Sequence, residues 1–257
     1  MVPSRLLNVP SVRPGGGSAF PATRPSVVQA LDSPDAAARD RAFGTLVAIY
    51  WKPVYKYIRL RWNQIHEAGE DLTQEFFLQA LGKGWLGRYD PSRARFRTFL
   101  RTCVDGHVAN SQRAERRAKR GGRLAFVDMD FAAAEREFRD SAPPPDADVE
   151  AFFQQEWIRA VLELAMGRLR TESAERGKQI PFALFLRYDV EATSRDEALT
   201  YADLAREFAL PRTQVTNFLA FARGRFRHHV LEALAELTGT EEEYAEAVRE
   251  ILGGAAP

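Results

Sequence analysis

At 257 residues the chain is long enough for one large or two small domains, and 45% hydrophobic with 28% charged residues allows a buried core and excludes disorder throughout. The net charge of +1 averages two blocks of opposite sign: from Arg93 to Arg123 basic residues dominate, and from Asp128 to Glu156 acids do, so a polyanionic partner for the first block is not excluded. A lone cysteine, Cys103, excludes an internal disulfide and a cysteine-rich zinc site.

No apolar run approaches the roughly 20 residues that cross a bilayer, and no signal-peptide core is present. A cytoplasmic protein with no membrane partner is expected. Residues 1–32 read as a disordered tail: up to Pro25 the stretch is rich in Pro, Gly and Ser, holds three arginines and no acid, and lacks hydrophobic periodicity. Ser33 and Pro34 have the chemistry of a helix cap and first-turn proline. Phe43, Leu46, Val47, Ile49 and Tyr50 follow at helical spacing. Pro53 then interrupts or restarts the helix, and Val54, Tyr57, Ile58 and Trp62 carry the pattern on as core packing.

The stretch DLTQEFFLQAL reads as a helix opened by Asp71, whose carboxylate suits free amides and the positive dipole end. Leu72, Phe76, Phe77, Ala80 and Leu81 turn inward, and Asp71, Gln74, Glu75 and Leu78 outward. Gly82, Gly84 and Gly87 break the helix, and Asp90-Pro91-Ser92 is turn chemistry. From Phe96 a second helix places Phe96, Phe99, Leu100, Cys103 and His107 on one stripe. Arg97, Thr98, Arg101, Thr102, Asp105, Ala109, Gln112, Arg113 and Arg116 fall on the opposite arc, at about 100° per residue. Cys103 and His107 read as packing, not as a nucleophile and its base. The helix ends in AKRGG.

Residues 123–150 read as a flexible acidic linker with room for a short helix and a proline triplet, Pro143-Pro144-Pro145. Phe152, Phe153, Trp157, Val161, Leu162 and Leu169 then mark a long amphipathic helix. Thr200-Tyr201-Ala202-Asp203 is a capping-box pattern. It opens a short helix, Ala209-Leu210-Pro211 turns, and Arg212 starts a longer one with Val215, Leu219, Ala222, Phe226 and Val230 inward. That is a helix-turn-helix outline. Glu241 to Leu252 reads as one more short amphipathic helix. The fold expected is all-α: domains at 33–122 and 151–237, a linker between them, and a C-terminal extension over 238–257.

Two separated motifs carry a resemblance. DLTQEFF, a turn, RFRTFL and KRGG resemble the second domain of bacterial sigma-70 family RNA polymerase sigma factors of the extracytoplasmic-function type. YADLAREFALPRTQV followed by ARGRFR resembles the helix-turn-helix fourth domain of that family. The resemblance spans roughly Ser33 to Leu237, with the motifs in the family's order. It implies a transcription-initiation factor whose partners are core RNA polymerase and promoter DNA, with an anti-sigma factor as a further partner of the type. It implies no catalytic residue, no metal and no cofactor.

By position, the resemblance assigns Asp71, Gln74, Glu75 and Leu78 to the polymerase clamp. It assigns Tyr89, Arg93, Arg95, Phe96, Arg97, Thr98, Arg101, Arg113, Arg116 and Arg117 to capture of the melted −10 strand. Holding single strands takes stacking surfaces and a cationic groove. Around −35, base readout falls to Arg212, Thr213, Gln214, Thr216 and Asn217, and phosphate contact to Arg223, Arg225 and Arg227. Thr216 and Phe221 stand where the family usually has basic residues, and Gly106 where it often has asparagine. The acidic linker is expected to thread the RNA exit channel, with Asp140, Asp146, Asp148 and Glu150 as a nucleic-acid mimic.

Three other readings stay open. An ordinary helix-turn-helix regulator explains residues 200–227 but gives the Asp71 helix no purpose. A sigma-like protein that binds polymerase without melting promoters differs only in DNA binding. An enzyme would need a metal at Glu67, Glu70, Asp71 and Glu75, where a solvated acidic helix start is the plainer account. His228 and His229, adjacent on a helix, point apart and make poor metal geometry.

Overall fold

The computed structural model describes residues 26–115, 129–141, 147–195 and 197–253, which are all-helical with no strand among them. The expectations for the tail before Ser26, for Arg116, Arg117 and the KRGG turn, and for the proline triplet lie outside the described residues. No helix among the described residues is long and apolar enough to cross a membrane. The chain divides into two compact units. The first takes its described residues from 26–160 and adds Glu236–Glu243, and the second takes Val161–Ala235 and continues from Tyr244.

In the first unit the tail expected over 1–32 is already ordered by its end. Helix α1 (Val27–Ala30) is closed by a capping box between Ser26 and Gln29, and Val28 and Leu31 are buried. Helix α2 (Ala36–Arg61) begins two residues later than expected, because Asp35 and not Ser33 accepts the free Ala37 amide. It runs through Pro53 without interruption. An interior proline costs about 3 kcal/mol, but burial on both sides of it outweighs that. Leu46, Val47, Tyr50, Val54, Tyr55 and Ile58 are all fully buried.

Three helices pack on α2. Helix α3 (His66–Lys83) meets it through Phe77 on Phe43, and the approach is close at Gly69, where a Cβ would lie 2.7 Å from Arg59 Cδ. Asp71 therefore lies in the second turn and does not cap the helix. Helix α4 (Phe96–Glu115) sets Phe96 against Tyr50 at 5.8 Å. Helix α5 (Phe131–Asp140) is the short helix for which the linker had room, but it is docked and not a flexible tether. Phe131 wedges between Trp51 and Tyr55, each 5.2 Å away. Glu135 accepts from Tyr55 and Arg59, and Glu137 pairs with Lys52 and Lys56. Opposite charge and one aromatic anchor dock this stretch.

Helix α6 (Val149–Glu175) begins in the first unit, with Phe153 on Tyr57 and Glu156 paired to the fully buried Lys56 at 2.7 Å. Residues 151–160, expected in the second domain, thus pack here. Glu150, expected in the threading linker, pairs with Arg101.

In the second unit α7 (Gln179–Phe185) continues as a π-helical stretch (Leu186–Glu191) that turns Asp189 fully inside. Helix α8 (Tyr201–Glu207), helix α9 (Arg212–Leu237) and helix α10 (Glu241–Leu252) follow. Leu184, Leu204, Val215 and Leu219 form a core, bordered by Tyr188, Tyr201, Phe208 and Leu210. Phe226 continues it against Phe185 at 5.2 Å.

Candidate functional site

The outward face of α3 is as the spacing predicts: Asp71 is exposed, and Gln74, Glu75 and Leu78 are half-buried. Side-chain bonds one turn apart order this face. Gln74 donates to Glu70 at 3.1 Å, Gln79 to Glu75 at 2.9 Å, and Lys83 to Gln79 at 3.0 Å. Beneath it His107 is buried, with Nε2 3.9 Å from Glu75 Oε2 and its ring edge-on to Phe76. Burial pushes the His107 pKa down although the Glu75 charge opposes this, so the imidazole is neutral at pH 7. Among the described residues no group of three His, Cys, Asp or Glu side chains could hold a metal ion.

Gly84, at φ 59°, ends α3 in the left-handed conformation that glycine adopts without strain. A single 3₁₀ turn (Trp85–Arg88) then leads to Tyr89 and the Asp90 turn, where Ser92 donates twice to the Asp90 carboxylate and holds its pKa below the ordinary value.

The structure divides the residues assigned to −10 DNA. Arg93, Arg95, Thr98 and Arg113 are exposed, whereas Phe96 and Arg97 are buried and Tyr89 and Arg101 are half-buried. The buried stripe of α4 is Phe96, Leu100, Val104 and Val108, flanked by Arg97 and His107. At 100° per residue, including Val104 and Val108 turns the centre of the stripe by about 60° towards Arg97. Cys103 and Phe99 are thereby left at its edge, half-buried; burial still pushes the Cys103 thiol up to about 11. Arg97 lies inside, its guanidinium 4.1 Å from the centroid of the Trp157 ring. Arg97 is therefore corrected from an outward DNA contact to an interior cation. Asp105, also expected outside, accepts from Tyr57 and from the Trp62 indole at 3.0 Å each.

Tyr89 is packed too. Its ring meets Phe96 at 5.2 Å and Phe99 at 5.5 Å, and its hydroxyl lies near the Glu243 carboxylate. Burial and then the Glu243 charge push its pKa well above the ordinary tyrosine value. The sequence reading missed Trp157 and Glu243 here, because no local pattern marks partners 60 and 147 residues from Arg97 and Phe96 in the chain.

In the second unit Thr200 caps α8 as its spacing predicts. Its side chain accepts from the Asp203 amide at 3.2 Å, and the Asp203 carboxylate accepts from the Thr200 amide at 3.0 Å. The turn closes as a Schellman motif, with Leu210 N–H to Ala205 C=O at 2.9 Å, Ala209 N–H to Arg206 C=O at 3.3 Å, and Ala209 at φ 52°. Helix α9 then restarts on the Pro211 carbonyl. Arg212, Thr213, Gln214, Thr216, Asn217 and Ala220 are exposed along its first two turns, the side opposite Val215 and Leu219.

Two cations assigned to phosphates are occupied instead. Arg223 grips buried Asp189 with two bonds at 2.8 and 3.0 Å and donates to the Tyr201 hydroxyl at 3.1 Å. Arg225 bonds Glu172 at 2.9 Å, where His229 also binds at 2.8 Å. By phase both sit on the flanks of the buried arc, within reach of inward carboxylates. Arg227 is half-buried and lies near Tyr244. The exposed N-terminal two turns of α9 are thus rich in hydroxyl and amide groups and carry Arg212, while Phe221 and His228 are exposed further along. No family model matches the chain, and none of the curated proteins or solved structures compared with it gives a match.

Proposed function

We propose that the chain is a sigma factor of the sigma-70 family, extracytoplasmic-function type, which binds core RNA polymerase and directs promoter-specific initiation. The observation that carries this reading is the coexistence in one chain of an ordered acidic helix face and a helix-turn-helix whose N-terminal face is open. Asp71, Gln74, Glu75 and Leu78 form the first, and Arg212, Thr213, Gln214, Thr216 and Asn217 the second. A regulator acting on DNA alone needs only the second. Arg93, Arg95, Thr98 and Arg113 supply the exposed part of the −10 surface, and each phosphate contact adds a salt-dependent increment of affinity. Base contacts at −35 run through Arg212 to Asn217, with hydroxyl and amide groups reading base edges.

One observation favours a second reading, a sigma-like protein that binds polymerase without melting promoters: Tyr89, Phe96 and Arg97 are all drawn into the protein. Asp71→Lys with Glu75→Lys tests the shared part. Reversing both charges abolishes binding to core polymerase in a titration and leaves thermal unfolding unchanged. Unaltered affinity contradicts both polymerase readings and leaves the plain DNA-binding regulator. Permanganate footprinting of the wild-type holoenzyme separates the two that remain.

A further inference from the structure

The stretch joining α9 to α10 belongs to the first unit and is fastened there at several points. Thr240 and Glu243 have the spacing of a capping box, yet only half of it forms. The Thr240 hydroxyl accepts from the Glu243 amide at 3.2 Å. In a closed box the Glu243 carboxylate would reach back to the Thr240 amide. Instead it accepts from Gly239 N–H at 2.9 Å and from Phe96 N–H at 3.1 Å, with the Tyr89 hydroxyl near it. Glu243 is 6% exposed, and Thr238 is buried as well. Gly239 lies flat on Tyr89, where a Cβ would sit 3.0 Å from ring carbon Cε1, and its carbonyl accepts from Gln29 at 3.1 Å. Phe96 N–H is the first free donor of α4, at the positive end of the helix dipole.

We propose that Thr238–Glu243 is an autoinhibitory latch: its buried carboxylate and flat glycine occupy the Tyr89–Phe96 loop that a melted promoter strand must enter. The latch rests on the sigma-factor reading, in which this loop takes the strand. A strand phosphate and the Glu243 carboxylate are both anions suited to the same helix terminus, so they compete. Binding of DNA through a fractionally populated open form is weakened by that fraction. Release of the latch frees the Tyr89 ring to stack on a base and the Phe96 amide to meet a strand phosphate. Tyr89, Phe96 and the tail are thereby linked: a residue beyond the helix-turn-helix sets how readily the first unit accepts single-stranded DNA.

Three full-length variants test this in reconstituted holoenzyme on promoter fragments selected by run-off transcription. Glu243→Gln weakens the anion, Gly239→Val forces the segment off Tyr89, and Gln29→Ala cuts an anchor outside the strand path. Glu242→Gln, an exposed neighbour, makes the same charge change without touching the latch. Two quantities are read: hydrogen exchange at the Phe96 amide, and permanganate reactivity of −10 thymines at limiting holoenzyme. The latch predicts faster Phe96 exchange, with Leu100 to Val108 still protected, and roughly fivefold more melting in the three variants. Glu242→Gln behaves as wild type. If Glu243→Gln disrupts α4 as a whole, Gln29→Ala decides, since the Gln29 side chain bonds Ser26 and Gly239 and lies outside α4 in the chain.

Faster Phe96 exchange with wild-type melting overturns the latch and leaves the sigma-factor reading standing. Unchanged Phe96 exchange in all three variants overturns it as well. Failure of every version, wild type included, to engage polymerase or open any promoter removes the latch together with the function it depends on.

Discussion

Arg97 gives the sharpest separation between a residue that binds DNA and one that holds the fold. Its side chain is 5% exposed and its guanidinium stacks 4.1 Å over Trp157. Arg97→Ala removes a desolvated cation–π contact of about 2 kcal/mol and two buried methylenes at about 0.8 kcal/mol each. The expected loss is roughly 3–4 kcal/mol, and at about 2–4 °C per kcal/mol the midpoint should fall by some 7–14 °C. Arg97→Met keeps the aliphatic stem and should cost about 2 kcal/mol. All four tryptophans, Trp51, Trp62, Trp85 and Trp157, belong to the first unit, so tryptophan emission follows that unit alone. Single-unit detection matters because two units need not unfold as one. If Arg97→Ala unfolds within 2 °C of wild type while promoter opening collapses, the interior role is wrong and Arg97 is a DNA contact after all.

Arg113→Ala, at an exposed position, should change stability by less than about 0.5 kcal/mol and lower the slope of log affinity against log salt by roughly 0.7–0.9; an unchanged slope removes Arg113 from the DNA surface. Ala209→Gly relieves a left-handed backbone at a residue with a Cβ and should stabilise the second unit by about 1 kcal/mol, measured by urea unfolding; a destabilised variant shows that the turn is held by something other than backbone preference. Docking of α5 should depend on acid. Burial would raise the Glu135 and Glu137 pKa values. Hydrogen bonds from Tyr55 and Arg139 to Glu135, and from Lys56 and Lys52 to Glu137, outweigh this and lower both from 4.5. A lowered carboxyl pKa stabilises fully above the unfolded value and loses its contribution as pH falls through the folded one. Hydrogen exchange within α5 should therefore be constant from pH 8 to 5 and accelerate, on correction for intrinsic rates, below about 4.5; flat protection to pH 3 contradicts the ion-pair account.

Local chemistry was the legible part of this fold. Thr200-x-x-Asp203 forms the box its spacing predicts, and Val215, Leu219, Ala222, Phe226 and Val230 are the inner face of α9 as the period requires. Neighbouring residues alone decide both features. The Ser26 and Gln29 box has the same local signature but lies within the stretch expected to be a disordered tail. Illegible features depend on what a helix packs against. Arg97 and Arg223 lie on flanks that solvent could have claimed; Trp157 and Asp189, far along the chain, claim them instead. Acidic composition made residues 123–150 look like a flexible linker, yet Lys52, Lys56 and Arg59 on α2 pair with Glu135 and Glu137 and let Phe131 bury. Pro53 shows the same priority of packing over propensity. Glu243 is invisible in sequence for a simpler reason: a half-made capping box looks no different from a complete one.

Run-off transcription with purified bacterial core polymerase, the whole chain and a promoter library separates a sigma factor from the other readings. A sigma factor yields discrete transcripts that need the chain, share a sequence element upstream of their start sites, and disappear with Asp71→Lys/Glu75→Lys. Transcripts identical with and without the chain, at concentrations where the chain is shown to be folded, contradict the sigma-factor reading.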